Sequence, residues 1–109
     1  MMSQPYYMNI ARTILGQLGG NRFITMTGAR KFVAISDPGL QFDLPVNAGA
    51  RDKVTRLRIV LDPSDTYTVI SYRKQRNQLE YSEAARQSGI YCDMLEETFT
   101  EMTGLYTSL

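Results

Sequence analysis

The chain has 109 residues, 43% of them hydrophobic and 21% charged, with no histidine and one cysteine. That length suits one domain with an ordinary apolar core, and the composition excludes a disordered chain. Without histidine, imidazole acid–base catalysis, His-containing triads and most zinc or non-haem iron sites are excluded. The formal net charge of +1 hides an uneven distribution: residues 1–78 hold eleven of the twelve Lys and Arg but only five of the eleven acids. A basic body thus precedes an acidic tail, a pattern that suits a polyanion site, a self-complementary homodimer or two differently solvated faces.

Residues 1–6 read as a flexible lead-in. Ile10, Ile14 and Leu18 then recur at helical spacing, with Leu15 widening the stripe, and Gly19-Gly20 supply a stop, so a helix is expected over about residues 7–18. Asn21 to Thr27 is rich in β-formers and reads as a strand ended by Gly28. Phe32 to Ser36 and Leu40 to Pro45 flank Asp37-Pro38-Gly39, which suits a type II turn; pairing Asp37 with Leu40 sets Ile35 against Phe42 and Val33 against Leu44. Val46 to Lys53 reads as a loop.

A second hairpin is expected from Val54–Leu61 and Thr66–Lys74 around Asp62-Pro63-Ser64-Asp65. Leu57, Ile59 and Leu61 alternate with Arg56 and Arg58, the pattern of a half-buried strand. With Asp62 paired to Asp65, Ile70 and Tyr72 join the apolar face, and Tyr67, Val69 and Arg73 join the arginines. Gln75 to Gln78 is a polar turn, and Leu79 to Ala84 reads as one more strand. A last helix is expected over about residues 90–103, with Tyr91, Leu95, Phe99 and Met102 as its apolar stripe and Gly104 as its cap. The expected architecture is a single α+β domain over residues 1–109, an antiparallel sheet of four to five strands with an N-terminal and a C-terminal helix on one face.

The basic, aromatic sheet face is the leading candidate site. Arg56, Arg58, Tyr67 and Arg73, with Lys74 and Arg76 at the end and Arg51 and Lys53 nearby, offer guanidinium groups for phosphates and a ring for stacking on a base. The competing explanation is that a wet sheet face must be polar, and arginine often serves. The two glycine turns, Gly19-Gly20-Asn21-Arg22 and Gly28-Ala29-Arg30-Lys31, place backbone N–H groups beside cations, yet neither dinucleotide nor P-loop spacing occurs. Asp93, Glu96, Glu97 and Glu101 line one side of the last helix, where they form a solvated face or a surface for a basic partner. They lack the convergence needed for a metal site or a catalytic carboxylate pair.

Cys92 has no histidine to generate its thiolate and reads as a semi-buried structural residue. Tyr6, Tyr7 and Tyr106 near the ends suit sealing of the core or a partner contact. A lone cysteine, no signal-peptide pattern and no apolar run of membrane-spanning length point to the host-cell cytoplasm, with no membrane partner.

The stretches LGGNRFITMTGARKFV, LDPSDTYTVISY and SGIYCDMLEETFTEMTGLYTSL resemble a family of small proteins of uncharacterised activity encoded mainly by phages, prophages and plasmid-like mobile elements. The resemblance implies a setting, a short intracellular protein that acts by binding, and no catalytic residue or cofactor. Two functions are therefore expected: an accessory nucleic-acid binder using the sheet face, or a protein-directed inhibitor of a host defence complex, of the anti-CRISPR kind, using the acidic helix. No enzyme activity, cofactor or metal is expected.

Overall fold

The computed structural model describes residues 3–74 and 80–107, with the side chains of Ser3 to Pro5 set aside. The first helix, α1, spans Ser3–Leu18 and so begins before the apolar stripe does. Pro5 falls in its first turn, where a missing N–H removes no intrahelical bond. Ala11, Ile14 and Leu18 are its buried positions, at the spacing of one helical face.

Asn21–Thr27 is a second short helix, α2, and not the strand its β-formers suggest. Burial overrides propensity here. Helical geometry puts Phe23 and Thr27 on one inward face, and Phe23 meets both Phe42 (5.3 Å between ring centroids) and Phe99 (5.1 Å) edge-on. The Thr27 hydroxyl donates to the Phe23 carbonyl and accepts the Ala29 N–H, while Gly28 ends the helix in the left-handed conformation.

Five antiparallel strands follow in simple up-and-down order: β1 (Arg30–Ile35), β2 (Gly39–Asp43), β3 (Arg56–Leu61), β4 (Tyr67–Lys74) and β5 (Tyr81–Ile90). The first hairpin pairs Ile35 with Gly39 and Ala34 with Leu40. Its loop is therefore Ser36–Asp37–Pro38, with a cis Asp37–Pro38 peptide, and not the expected type II turn. This odd shift in register turns β1 over: Phe32 and Ala34 pack on the core, and Val33 is 48% exposed. Gly39 is required by close approach, because a Cβ there would sit 2.0 Å from the Ile59 carbonyl oxygen.

The second hairpin carries a smaller shift with larger consequences. Asp62 N–H donates to Thr66 O (2.9 Å) and Asp65 N–H to Asp62 O (3.0 Å), enclosing Pro63, Ser64 and Asp65, the last at φ 64°. A three-residue loop ending in a left-handed residue replaces the expected two-residue one. Arg56 therefore pairs with Tyr72, Arg58 with Ile70 and Leu61 with Tyr67. Tyr67 and Val69 turn into the core, at 5% and 1% exposure, and Tyr72 turns out beside the arginines.

Between β2 and β3, two single 3-10 turns, Val46–Ala48 and Arg51–Lys53, form a compact loop. Arg51 ties it down by donating to the Glu101 carbonyl (2.8 Å) in the last turn of α3, Leu95–Thr103. β5 runs on through Gly89 to Ile90, so the final helix starts later than its stripe suggests, after a 3-10 turn at Cys92–Met94. Leu95, Phe99 and Met102 are buried, but Tyr91 is 61% exposed and Cys92 is exposed rather than half-buried. The helices cover one face of the sheet and the other is open, an α+β architecture. No helix among the described residues is long and apolar enough to cross a membrane.

Candidate nucleic-acid interface

The open face is laid out in rows by the strand register. Because the five strands run as a meander, one row reads Val33, Gln41, Arg58, Ile70 and Arg86. The next reads Arg30, Asp43, Arg56, Tyr72 and Glu83, with Lys74 opposite Tyr81 beyond it. Strand alternation thus brings basic side chains to this face from β1, β3, β4 and β5 and aromatic ones from β4 and β5, with Gln41 and Asp43 of β2 between them.

Most of these cations have partners. Arg56 makes a bidentate pair with Asp43 (2.7 and 3.3 Å) and lies 3.9 Å above the Tyr81 ring. The hydrogen bond to Asp43 raises the Arg56 pKa against the opposing effect of burial. Arg86 is bidentate to Glu83 (3.1 and 2.8 Å); that contact lowers the Glu83 pKa and raises that of Arg86. Arg58 differs, because it is held by the neutral amide oxygen of Gln41 (3.2 and 2.6 Å), with its guanidinium 5.7 Å from the Tyr72 ring centroid. Its orientation is fixed and it makes no ion pair among the described residues, while Asp37, Asp62 and Glu80 line the grooves beside it.

Beyond Tyr81 the face opens into a cleft of about 640 Å³ between the start of β1, the loop before β3 and the end of β4. Arg30, Lys31, Lys53 and Lys74 line it, and none of their side chains has a hydrogen bond or ion pair among the described residues. The one acid in its lining is Asp43, already engaged by Arg56. Tyr81 belongs both to this cleft and to the shallow groove of Arg56, Arg58, Tyr72 and Glu80, so the two share a wall.

Of the residues expected on this face, Arg56, Arg58 and Lys74 are brought together. Tyr67 and Arg73 are not. The one-residue shift buries Tyr67 and sends Arg73, opposite Ser82, to the helix-bearing side. Arg76 lies outside the described residues. Ile70 and Tyr72, expected on the apolar face, stand instead on the open face opposite Arg58 and Arg56, because the added loop residue exchanges the faces of β4. Tyr81 and Arg86 join them from a polar edge strand that no apolar alternation marks. The acidic set is less coherent than its spacing implies. Asp93 sits in the 3-10 turn, Glu96 accepts the Thr107 hydroxyl (2.6 Å), and Glu97 and Glu101 are exposed on α3. Among the described residues no cluster of three or more His, Cys, Asp or Glu side chains could hold a metal ion.

No family model matches the chain, and no curated protein or solved structure matches it.

Proposed function

We propose that the protein is a non-enzymatic binder of single-stranded nucleic acid, an accessory protein of a mobile element, and that the strand lies along the open sheet face. The observation that carries this reading is the pairing of Arg58, fixed by the neutral Gln41 amide and without an ion pair among the described residues, with the partly exposed Tyr72 ring beside it. An oriented guanidinium next to an aromatic platform is what phosphate contact and base stacking require together. Tyr81, with the Arg56 guanidinium over its ring, leads on towards cations that have no hydrogen bond or ion pair among the described residues.

Fluorescence anisotropy with labelled single-stranded DNA and RNA of the same sequence tests the proposal. Arg58→Ala weakens binding on the order of tenfold, the worth of one charge-assisted contact, and Tyr72→Ala weakens it by a similar factor through lost stacking. If neither strand binds at low salt, the reading fails.

A protein-directed inhibitor that uses Asp93, Glu96, Glu97 and Glu101 is the second reading, supported by the 61% exposed Tyr91 near Asp93. Reversing Glu97 and Glu101 to lysine would then abolish capture of a host protein while leaving oligonucleotide binding intact.

A further inference from the structure

The cleft at the end of the sheet has the features of a ligand site in its own right. We infer that it binds the multiply charged phosphates of a nucleotide, carried either by a free nucleoside diphosphate or triphosphate or by the phosphorylated end of a strand. Four cations, Arg30, Lys31, Lys53 and Lys74, are more than one internal phosphodiester needs, since each such group carries a single negative charge. A terminal phosphate or a polyphosphate supplies the larger charge that would balance them.

Part of the remaining lining, beside Asp43 and Thr55, is apolar, as a base or sugar would need. Leu44 and Val54, each 2% exposed, form the inner wall, and Val46, on the rim, is 84% exposed, which is unusual for so large an apolar side chain. Thr55 also lines the cleft, and its hydroxyl oxygen is shielded from solvent without a partner among the described residues. A volume of about 640 Å³ lies within the range of small-molecule sites.

The backbone supplies an independent argument. Lys31 (φ 59°) and Lys53 (φ 60°) both adopt the left-handed conformation, and each lines the cleft. Glycine would meet that conformation with less strain. Lysine is held at both positions despite the backbone preference, and the two side chains serve no ion pair or hydrogen bond within the described fold.

That conflict between backbone and side chain gives the test. The Lys31→Gly, Lys53→Gly double variant removes two cations while relieving both positions, so its melting temperature stays within a few degrees of the parent. Isothermal titration calorimetry with ADP, adenosine and a pair of short oligonucleotides with 5′-phosphate or 5′-hydroxyl ends reads the site. Saturable binding of ADP, with adenosine at least tenfold weaker and the double variant at least tenfold weaker for ADP, establishes a free-nucleotide site. A preference for the 5′-phosphate oligonucleotide that disappears in the double variant, with no ADP binding, establishes capture of a strand end. If neither probe depends on its phosphate, or the folded double variant binds as the parent does, the inference is overturned. Arg58→Ala separates this site from the sheet face: it lowers oligonucleotide affinity and leaves ADP binding unchanged.

Discussion

At the scale of single residues, the identity of the hydrogen-bond partner decides what each arginine is free to do. Arg56 and Arg58 stand two apart on one strand, yet Asp43 neutralises the first and Gln41 only orients the second. Arg51, equally basic in the sequence, serves as a clamp on the end of α3. Tyr67 is displaced from the expected binding face and gains a structural role. Its pKa is raised above the ordinary tyrosine value by burial, partly opposed by the neighbouring Gln17 amide. The fold therefore favours the protonated phenol. Its stabilising contribution is complete below the unfolded pKa near 10 and is lost as pH rises through the higher folded value. Urea unfolding at about pH 9 and about pH 11 will show a smaller loss of stability between them for Tyr67→Phe than for the parent. Equal losses would mean that Tyr67 is not a source of the alkaline sensitivity.

At the scale of elements, the length of one turn determines the face on which a site is built. Asp65, at φ 64°, is the residue that lengthens the β3–β4 loop and moves Tyr72 to the arginine side. The sequence motif Asp-Pro-Ser-Asp announces a turn but fits both loop lengths, so the alternation of β4 was legible and its phase was not. Asp65→Gly keeps the loop length and relieves the left-handed position, so the urea midpoint should rise by the equivalent of about 0.5 to 1 kcal/mol with an unchanged m value. A lower midpoint would show that the aspartate side chain contributes more than the backbone relief returns. β5 was hard to read for a different reason. It is an edge strand whose residues are mostly exposed, so no apolar alternation marks its extent, and its pairing with β4 comes from the backbone.

At the scale of the whole molecule, the near-zero net charge conceals a local concentration of cations. Pairing within the fold engages Arg56 and Arg86, leaving Arg58 and the four cations of the cleft without an ion pair among the described residues, with Asp37, Asp62 and Glu80 lining the grooves beside Arg58. A strand engaging Arg58 and all four cations of the cleft would neutralise about five phosphates, so the logarithm of affinity should fall with the logarithm of salt at a slope of about −3.5. Anisotropy titrations over a series of sodium chloride concentrations measure it. A slope near zero would point away from phosphate contacts and towards the protein-directed reading. The acidic helix lies outside this track, which leaves its exposed carboxylates available to a separate partner.

What the amino-acid order determines by itself is the class of fold and most of its elements. Helical spacing in residues 10–18, alternation in Arg56–Leu61 and a cap at Gly104 are local signals, and each appears where its period or cap indicates. Only tertiary structure decides that Asn21–Thr27 is helical, because Phe23 reaches Phe42 and Phe99, which are distant in the chain, on a helical face. It also decides which residues form the site. Strand register is a two-residue alternation, so one added loop residue exchanges the two faces without changing the local pattern. The basic cleft draws Arg30, Lys53 and Lys74 from three separate segments, and no local spacing records that convergence.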